Sequence, residues 1–424
     1  MTPANDIHGT VDHLFRHRAG QMIASLTRIF GLEQIDLVEE AVQEALVRAL
    51  KSWPFRGTPA NPTAWLIQVA KNHLFDRLRR QSVWRSKEVE IQRSITALHD
   101  SVAVDEPAFA REVRDDQLRL VFTCCHPAIP RSQQIALTLK TVGGFSTSEI
   151  ARAFLAKESA VAQRIVRAKR TLVQQDIELR MPPPGELAER LDPVLEALYL
   201  MFNEGYSTHQ GEDLVRQDLC HEAIRLVELL ASHPETGLPE VHALAALLCF
   251  QAARLATRVD ADGDLLLLAE QDRSRWDAAL LGRGMTHFER SAAGHRLSAY
   301  HLQAEIAACH ALAPSFAETD WRRILGAYDA LLEMEPSPVV ALNRAVALAR
   351  VDGPEMGLEA LREIARAPAL SRYYPLFATR GELLRQLDRR DEAAASYRQA
   401  LELAGSEPVR RFLRRRIERT LVTA

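Results

Sequence analysis

The chain has 424 residues, of which 47% are hydrophobic and 26% are charged, and its formal net charge is −3. This composition is typical of a globular protein of about three domains, and it excludes a disordered chain and a collagen-like chain. No apolar run reaches the roughly 18–20 residues of a membrane-spanning helix, and the polar first residues contain no signal-peptide core, so we expect a cytoplasmic protein without a membrane partner.

The net charge is unevenly distributed along the chain. Residues 1–180 contain 25 Lys and Arg against 20 Asp and Glu, a net charge of +5, whereas residues 181–424 contain 28 against 36, a net charge of −8. All six lysines lie at or before Lys169. A mildly basic first part permits a nucleic-acid partner but does not require one.

The spacing of apolar residues predicts an all-α protein. Apolar residues recur every three or four positions, and alternating β-branched runs are almost absent. The prolines at 182–184 cannot continue a helix and coincide with the change of charge, so they mark a boundary. We expect two small helical modules, at 10–82 and 115–176, on either side of a polar linker at 83–114.

The first module contains an amphipathic helix over residues 36–50. Its apolar stripe consists of Val38, Ala41, Val42, Ala45 and Leu46. The opposite face carries polar residues at helical spacing, namely Asp36, Glu39, Glu40 and Gln43. Most faces of this kind are only solvated, and the alternative is a docking face for a basic partner.

A second helix is expected over residues 63–80. One of its faces combines amide, aromatic and basic side chains: Gln68, Lys71, Asn72, Phe75 and Arg79. Cations near the end of a helix are favourable in any protein. Aromatic rings also stack on bases while cations follow the phosphate backbone, so the face equally suits single-stranded nucleic acid.

The second module has the pattern of a helix-turn-helix. Ser146 and Glu149 form a predicted capping box before a short helix, and a tight turn at 156–157 precedes a longer helix from 158 to 172. The outward positions of that helix are Ser159, Gln163, Arg164 and Arg167, with Lys169 and Arg170 nearby. Such a helix can enter the major groove, where Arg and Gln contact base edges or phosphates, although purely structural helix pairs share the pattern.

Together the two modules resemble a sigma-70-type RNA polymerase sigma factor of the extracytoplasmic-function class. The stretch 36–45 resembles region 2.2, which implies that Asp36, Glu39, Glu40 and Gln43 dock on the β′ clamp of core RNA polymerase. The stretches 53–57 and 62–80 resemble regions 2.3 and 2.4, which melt and read the −10 promoter element. The residues implied for the −10 contact are Arg56, Asn61, Trp65, Gln68, Lys71, Asn72, Arg79 and Arg80.

The stretch 130–172 resembles region 4 of the same family. This resemblance implies contact with the polymerase β flap and reading of the −35 promoter element. The implied −35 residues are Ser159, Ala160, Gln163, Arg164, Arg167 and Arg170. Three further stretches, 122–127, 199–206 and 271–276, resemble a subgroup with a long C-terminal extension. The family implies promoter DNA as a partner, with no enzymatic reaction and no cofactor.

The C-terminal part is expected to form a helical extension at 187–290, followed at 297–424 by tetratricopeptide-like repeats and a C-terminal helix. A period near 34 residues is clearest at Phe377, Gly381, Leu384, Ala393, Tyr397 and Ala400. Stacked repeats form a concave groove that usually binds peptides or partner helices, so a protein or peptide partner is one expectation. Packing within the chain is equally compatible, and the extension could activate, inhibit or receive a signal.

No metal site is expected. Cys124, Cys125 and His126 lack a second pair of zinc ligands. The acidic stretch from Asp260 does not fit a calcium-binding EF-hand loop, because Gly263 is its fourth residue and the loop requires glycine at the sixth.

Two other functions remain open. A stand-alone helix-turn-helix regulator with a ligand- or peptide-sensing repeat domain would leave 36–43 and 53–80 unexplained. The other is a helical scaffold or enzyme in the C-terminal half, with the first part as its targeting device, and no catalytic triad, metal cluster or phosphate loop in the sequence supports an enzyme.

Overall fold

The computed structural model describes residues 19–79, 106–154, 156–206, 217–260 and 263–422. The predicted linker therefore lies largely outside the described residues. The regular structure of the described part is helical, and its β structure is limited to an isolated bridge between Val259 and Leu265. The prediction of an all-α protein is confirmed. The chain divides into two compact units, residues 1–201 and 202–424.

The described part of the first unit, from residue 19 onward, starts with three α-helices. Helix α1 covers 19–30, α2 covers Ile35–Arg56 and α3 covers Pro62–Leu78. The predicted stripe of α2 is buried: Val38, Ala41, Val42, Ala45 and Leu46 are at most 3% exposed. Helix α2 stops at Gly57, whose positive φ of 79° suits glycine, and α3 is capped by the side chain of Asn61.

The helix-turn-helix follows in the same unit. It is preceded by α4, Glu106–Cys124, and α5, Arg131–Thr141, and its own two helices are α6, Thr147–Ala153, and α7, Glu158–Gln174. The capping box forms as predicted, because Glu149 accepts a hydrogen bond from the Ser146 N–H at 2.7 Å and Ser146 accepts one from the Glu149 N–H at 3.2 Å. The inner stripe of α7 is buried: Val161, Ile165, Ala168 and Leu172.

The two groups of helices pack against each other within the first unit. Arg28 of α1 donates to Asp116 of α4 at 2.9 Å, and Asp116 is fully buried. Gly20 approaches the carbonyl of Val142 so closely that a Cβ at position 20 would lie 2.4 Å from that oxygen. Glycine is therefore required at this crossing, since any side chain would push the helices apart.

The second unit is a succession of helices that follows α8, Pro184–Tyr206. Its first helices are α9, Gln217–Ser232; α10, Pro239–Ala252; and α11, Ala278–Ser291. Then come α12, Ala299–Leu312; α13, Trp321–Met334; α14, Pro338–Asp352; α15, Pro354–Ile364; α16, Tyr374–Gln386; α17, Arg390–Leu403; and α18, Glu407–Val422. From α12 onward each helix packs on the next along the chain, with small residues at close approaches. This succession supports the expected repeats, which stay a prediction.

Candidate nucleic-acid and protein interface

The end of α2 and the start of α3 form one candidate surface around Trp65. Arg56 and Asn61 are exposed, and Asn61 accepts a hydrogen bond from the Ala64 N–H at 3.0 Å. Trp65 is half-buried and stands edge-on to the buried ring of Trp53, with 5.6 Å between the centroids. The short loop 57–61 therefore brings a cation, an amide and a partly exposed aromatic ring close together along the chain.

Further along α3, the predicted polar face is present, and its aromatic member is mostly buried beneath it. Gln68 donates to Asn72 at 2.9 Å, Asn72 and Arg79 are exposed, and Lys71 is half-buried. Phe75 lies on the same face, with the Lys71 ammonium 6.0 Å and the Arg79 guanidinium 5.9 Å from its ring centre. Its ring is only 6% exposed, because it also packs edge-on against Phe30 of α1. It lies in the core because α1 covers it. Arg80 lies outside the described residues.

Phe55 is a candidate contact that the sequence interpretation missed. Its side chain is 89% exposed in the last turn of α2, directly before Arg56. The sequence pattern that indicates this contact is an aromatic residue between Pro54 and Arg56 at the end of a helix that stops at Gly57. Large exposed rings next to cations are suited to stacking on unpaired bases.

The acidic face of α2 is partly exposed to solvent and partly buried against other helices. Asp36, Glu40 and Gln43 are exposed, whereas Glu39 is 9% exposed. Glu40 lies 3.4 Å from Arg77 and 3.6 Å from the ring of His73, both on α3.

Lys169 of α7 reaches across to this acidic face. Its ammonium donates to Asp36 and to Glu39, each at 2.7 Å, while Thr141 of α5 donates to the other oxygen of Glu39 at 2.8 Å. Burial alone would lower the pKa of Lys169, but Glu39 and Asp36 outweigh it and raise the pKa above its ordinary value. Lys169 follows Ala168 on the inner side of α7 and lies four residues after Ile165, a spacing that could have indicated its inward position.

The outward face of α7 remains open. Ser159, Gln163, Arg167 and Arg170 are exposed, and Ala160 and Arg164 are half-buried. These six residues lie on one helix, directly after the turn that joins α6 to α7. Their side chains are therefore placed as a recognition helix requires.

The Cys124-Cys125-His126 stretch packs inside the first unit. Both thiols are fully buried, and burial raises the pKa of Cys124 well above its ordinary value and that of Cys125 to about 11. His126 accepts a hydrogen bond from the Ala128 N–H at 3.2 Å. Among the described residues, no group of three or more His, Cys, Asp or Glu side chains could hold a metal ion.

In the second unit, the stretch 271–276 is hydrogen-bonded to the end of α12. Arg273 donates to the carbonyls of His310 and Ala313 at 2.7 and 2.9 Å, and its guanidinium lies 4.5 Å from the centre of the Trp276 ring. Asp272 accepts from the Ser274 N–H and so caps the turn. These contacts give the stretch a structural role, since Arg273 holds the end of α12.

The basic helix α18 is paired with acidic residues of its own unit. Arg415 lies 2.8 Å from Asp264, Arg416 lies 3.2 Å from Glu270, and Arg411 also bonds to Asp264. Much of the positive charge of this helix is therefore neutralised within the second unit, which makes α18 a weak candidate for a nucleic-acid contact.

Comparisons with known proteins identify the parts of the chain in which these surfaces lie. Residues 14–83 match the family model described as Sigma-70 region 2, and residues 119–172 match Sigma-70, region 4. Residues 190–292 match a family of unknown function, DUF6596. An uncharacterized protein of Rhizobium meliloti (strain 1021) is 40% identical over 411 residues, which cover 97% of this chain and 96% of the relative. No solved structure matches. No helix of the described residues has the length and apolarity needed to cross a membrane.

Proposed function

We propose a role in promoter-specific initiation for this chain, which belongs to the extracytoplasmic-function-like sigma-70 family and carries a C-terminal extension. Regions 2 and 4 give it a part in promoter recognition, and the family initiates transcription without being enzymatic. Region 2 docks on the β′ clamp and reads the −10 element, and region 4 meets the β flap and reads the −35 element. The protein acts in the cytoplasm, where the polymerase is.

The observation that carries the proposal is the open face of α7. Gln163 and Arg164 can form paired hydrogen bonds with base edges in the major groove, while Arg167 and Arg170 suit phosphates. The inner side of the same helix is packed in the core, so the recognition face is held by a rigid element. Phosphate contacts make the expected −35 affinity fall as salt rises, because each neutralised phosphate releases counterions.

At the −10 element, the surface around Trp65 supports capture of unpaired bases. Binding energy, not chemistry, would open the duplex, since unstacking costs a few kcal/mol per step and must be offset by contacts to the opened strand. Phe55 and Trp65 offer rings for stacking, and Arg56, Lys71 and Arg79 offer cations for the backbone. We add Phe55 to the −10 residues expected from the sequence.

For the extension we propose a regulatory role. Its succession of packed helices supports a scaffold for a protein or peptide partner, and its charge of −8 between residues 181 and 424 favours a basic one. Arg273 and the ion pairs of α18 hold its segments together, which supports a stable platform.

The test is transcription in vitro with core polymerase and a promoter library randomised at −35. The unmodified chain should give promoter-specific transcripts. The double variant Gln163→Ala, Arg164→Ala should lose discrimination at −35 by roughly 5- to 150-fold, since a paired base contact contributes about 1–3 kcal/mol. The control is Arg366→Ala, an exposed cation of the second unit, which should keep the unmodified preference.

Two outcomes would contradict the proposal. If no specific transcript forms while the protein alone binds duplex DNA tightly, the chain acts as a stand-alone regulator. If the double variant keeps the −35 preference of the unmodified chain, α7 is not the reading helix.

A further inference from the structure

We propose that region 4 covers the polymerase-docking face of region 2 and that Lys169 is the latch that holds this closed state. The inference rests on the proposed function, because it concerns access to the docking face expected for core polymerase. In the closed state, Glu39 faces α5 and α7 and not an external partner. Polymerase must therefore displace Lys169 before all four docking residues can be engaged.

The latch is built from a buried ion pair with a second hydrogen bond. The Lys169 side chain is 8% exposed and the Glu39 side chain 11%, whereas the Asp36 side chain is 83% exposed. Lys169 satisfies one oxygen of Glu39 and Thr141 the other, so the carboxylate is fully partnered by region 4. A charge held in this way is unavailable to an outside cation, because both of its oxygens are occupied away from water.

Contacts on α1 extend the closed interface beyond the latch. Arg28 pairs with the fully buried Asp116, and Gly20 lies against the backbone of Val142. Region 2 therefore meets region 4 along two helices, α1 and α2. Opening is a separation of packed surfaces and not the swing of one side chain.

The closed state leaves the −35 face free. Gln163, Arg167 and Arg170 are exposed on the side of α7 opposite its buried stripe, while Lys169 is buried at the edge of that stripe. The device therefore controls polymerase access without hiding the −35 recognition residues. Its effect on affinity is simple, since the apparent Kd equals the intrinsic Kd divided by the fraction of open molecules.

The first test measures the affinity of the full-length chain for core polymerase. Lys169→Met removes the ammonium and keeps an apolar side chain of similar length, so it should favour the open state and tighten the apparent Kd by about tenfold or more. The matched control is Lys140→Met, a half-buried lysine of α5, which should leave the Kd unchanged. If Lys169 only stabilised the fold, its removal would weaken polymerase binding. Tighter binding by Lys169→Met therefore distinguishes a latch from a structural lysine.

Unchanged or weaker binding by Lys169→Met would overturn the latch. If neither the unmodified chain nor the variant binds polymerase, the proposed function fails instead. The two failures are therefore distinguishable.

The second test traps the closed state in the unmodified protein. A carbodiimide joins an amine to an adjacent carboxylate, and the 2.7 Å separations predict an amide between Lys169 and Asp36 or Glu39, detected by peptide mass spectrometry. The trapped molecules should lose polymerase binding, whereas Lys169→Met treated with the same reagent should keep it. Polymerase added before the reagent should suppress the cross-link. Absence of the cross-link, or full binding by cross-linked protein, would refute the closed state.

Discussion

Phe55 is a large apolar side chain that is exposed to solvent. It is 89% exposed, although burying a phenylalanine contributes about 1.5–3 kcal/mol. Its neighbour Trp53 is 4% exposed and packs against Trp65, so this end of α2 is anchored while the next ring points outward. An exposed ring beside the cation Arg56 is well suited to stacking on an unpaired base.

We predict that Phe55→Ala reduces promoter opening without affecting the fold. Stacking of one base on an aromatic ring contributes about 1–3 kcal/mol, so the yield of open complexes should fall by roughly 5- to 150-fold. Permanganate reactivity of the −10 thymines measures opening, and thermal melting followed by circular dichroism should be unchanged. Met356→Ala, at an exposed apolar position of α15, is the control. Normal opening by Phe55→Ala would remove this ring from the −10 surface.

At the scale of elements, helices of the second unit approach one another at glycines. A Cβ at Gly357 would lie 2.6 Å from the Cβ of Ala349 and 3.0 Å from the carbonyl of Ala345. At Gly381 a Cβ would lie 2.9 Å from the ring of Tyr397. Gly326, inside α13, has open space around it. The same substitution should therefore have opposite effects at different helices.

Gly357→Ala should destabilise the second unit by about 1–3 kcal/mol, since the added methyl meets atoms that cannot move without shifting α14. Gly326→Ala should stabilise it by about 0.5–1 kcal/mol, because alanine favours a helix interior over glycine. Urea unfolding of each full-length variant measures the difference. Equal effects of the two substitutions would show that α14 and α15 are not closely packed.

Elements whose pattern is local could be predicted from the sequence. The stripes of α2 and α7 and the Ser146–Glu149 capping box all depend on residues within one or two turns, and they form as expected. The ring that covers Phe75 and the carboxylates that pair with Lys169 could not be predicted in this way. Phe75 is covered by α1, and Lys169 pairs with residues 130 or more positions earlier, so both depend on tertiary packing that helical periodicity does not contain.

At the scale of the whole molecule, the second unit contains histidines that are held neutral. Burial, followed by the nearby His287 and Arg290, lowers the pKa of His242 to about 4. Burial, followed by Arg254 and Arg273, lowers the pKa of His310 to about 4 as well. In the unfolded chain both would titrate near about 6.5, so unfolding takes up protons below that pH.

We therefore predict that acid destabilises the second unit between about pH 6.5 and about pH 4. The stability from neutral His242 and His310 is present above this window and is lost as the pH falls through it, by up to about 1.4 kcal/mol per pH unit for each histidine. Urea midpoints at pH 7, 6 and 5 measure the slope. His310→Gln should flatten the slope, whereas His295→Gln, at an exposed position, should not. Parallel slopes for the two variants would contradict the assignment.

The confinement of all lysines to the first 169 residues also makes the protein unusually easy to observe. Reductive methylation with ¹³C-formaldehyde would label six side-chain amines in a chain of 424 residues, all of them on the promoter- and polymerase-facing side of the sequence. The Lys169 amine is shielded from the reagent in the closed state, so the rate at which its resonance appears reports how often the regions separate. Fluorescent esters and immobilised resins that attach to side-chain amines will likewise leave residues 170–424 unmodified.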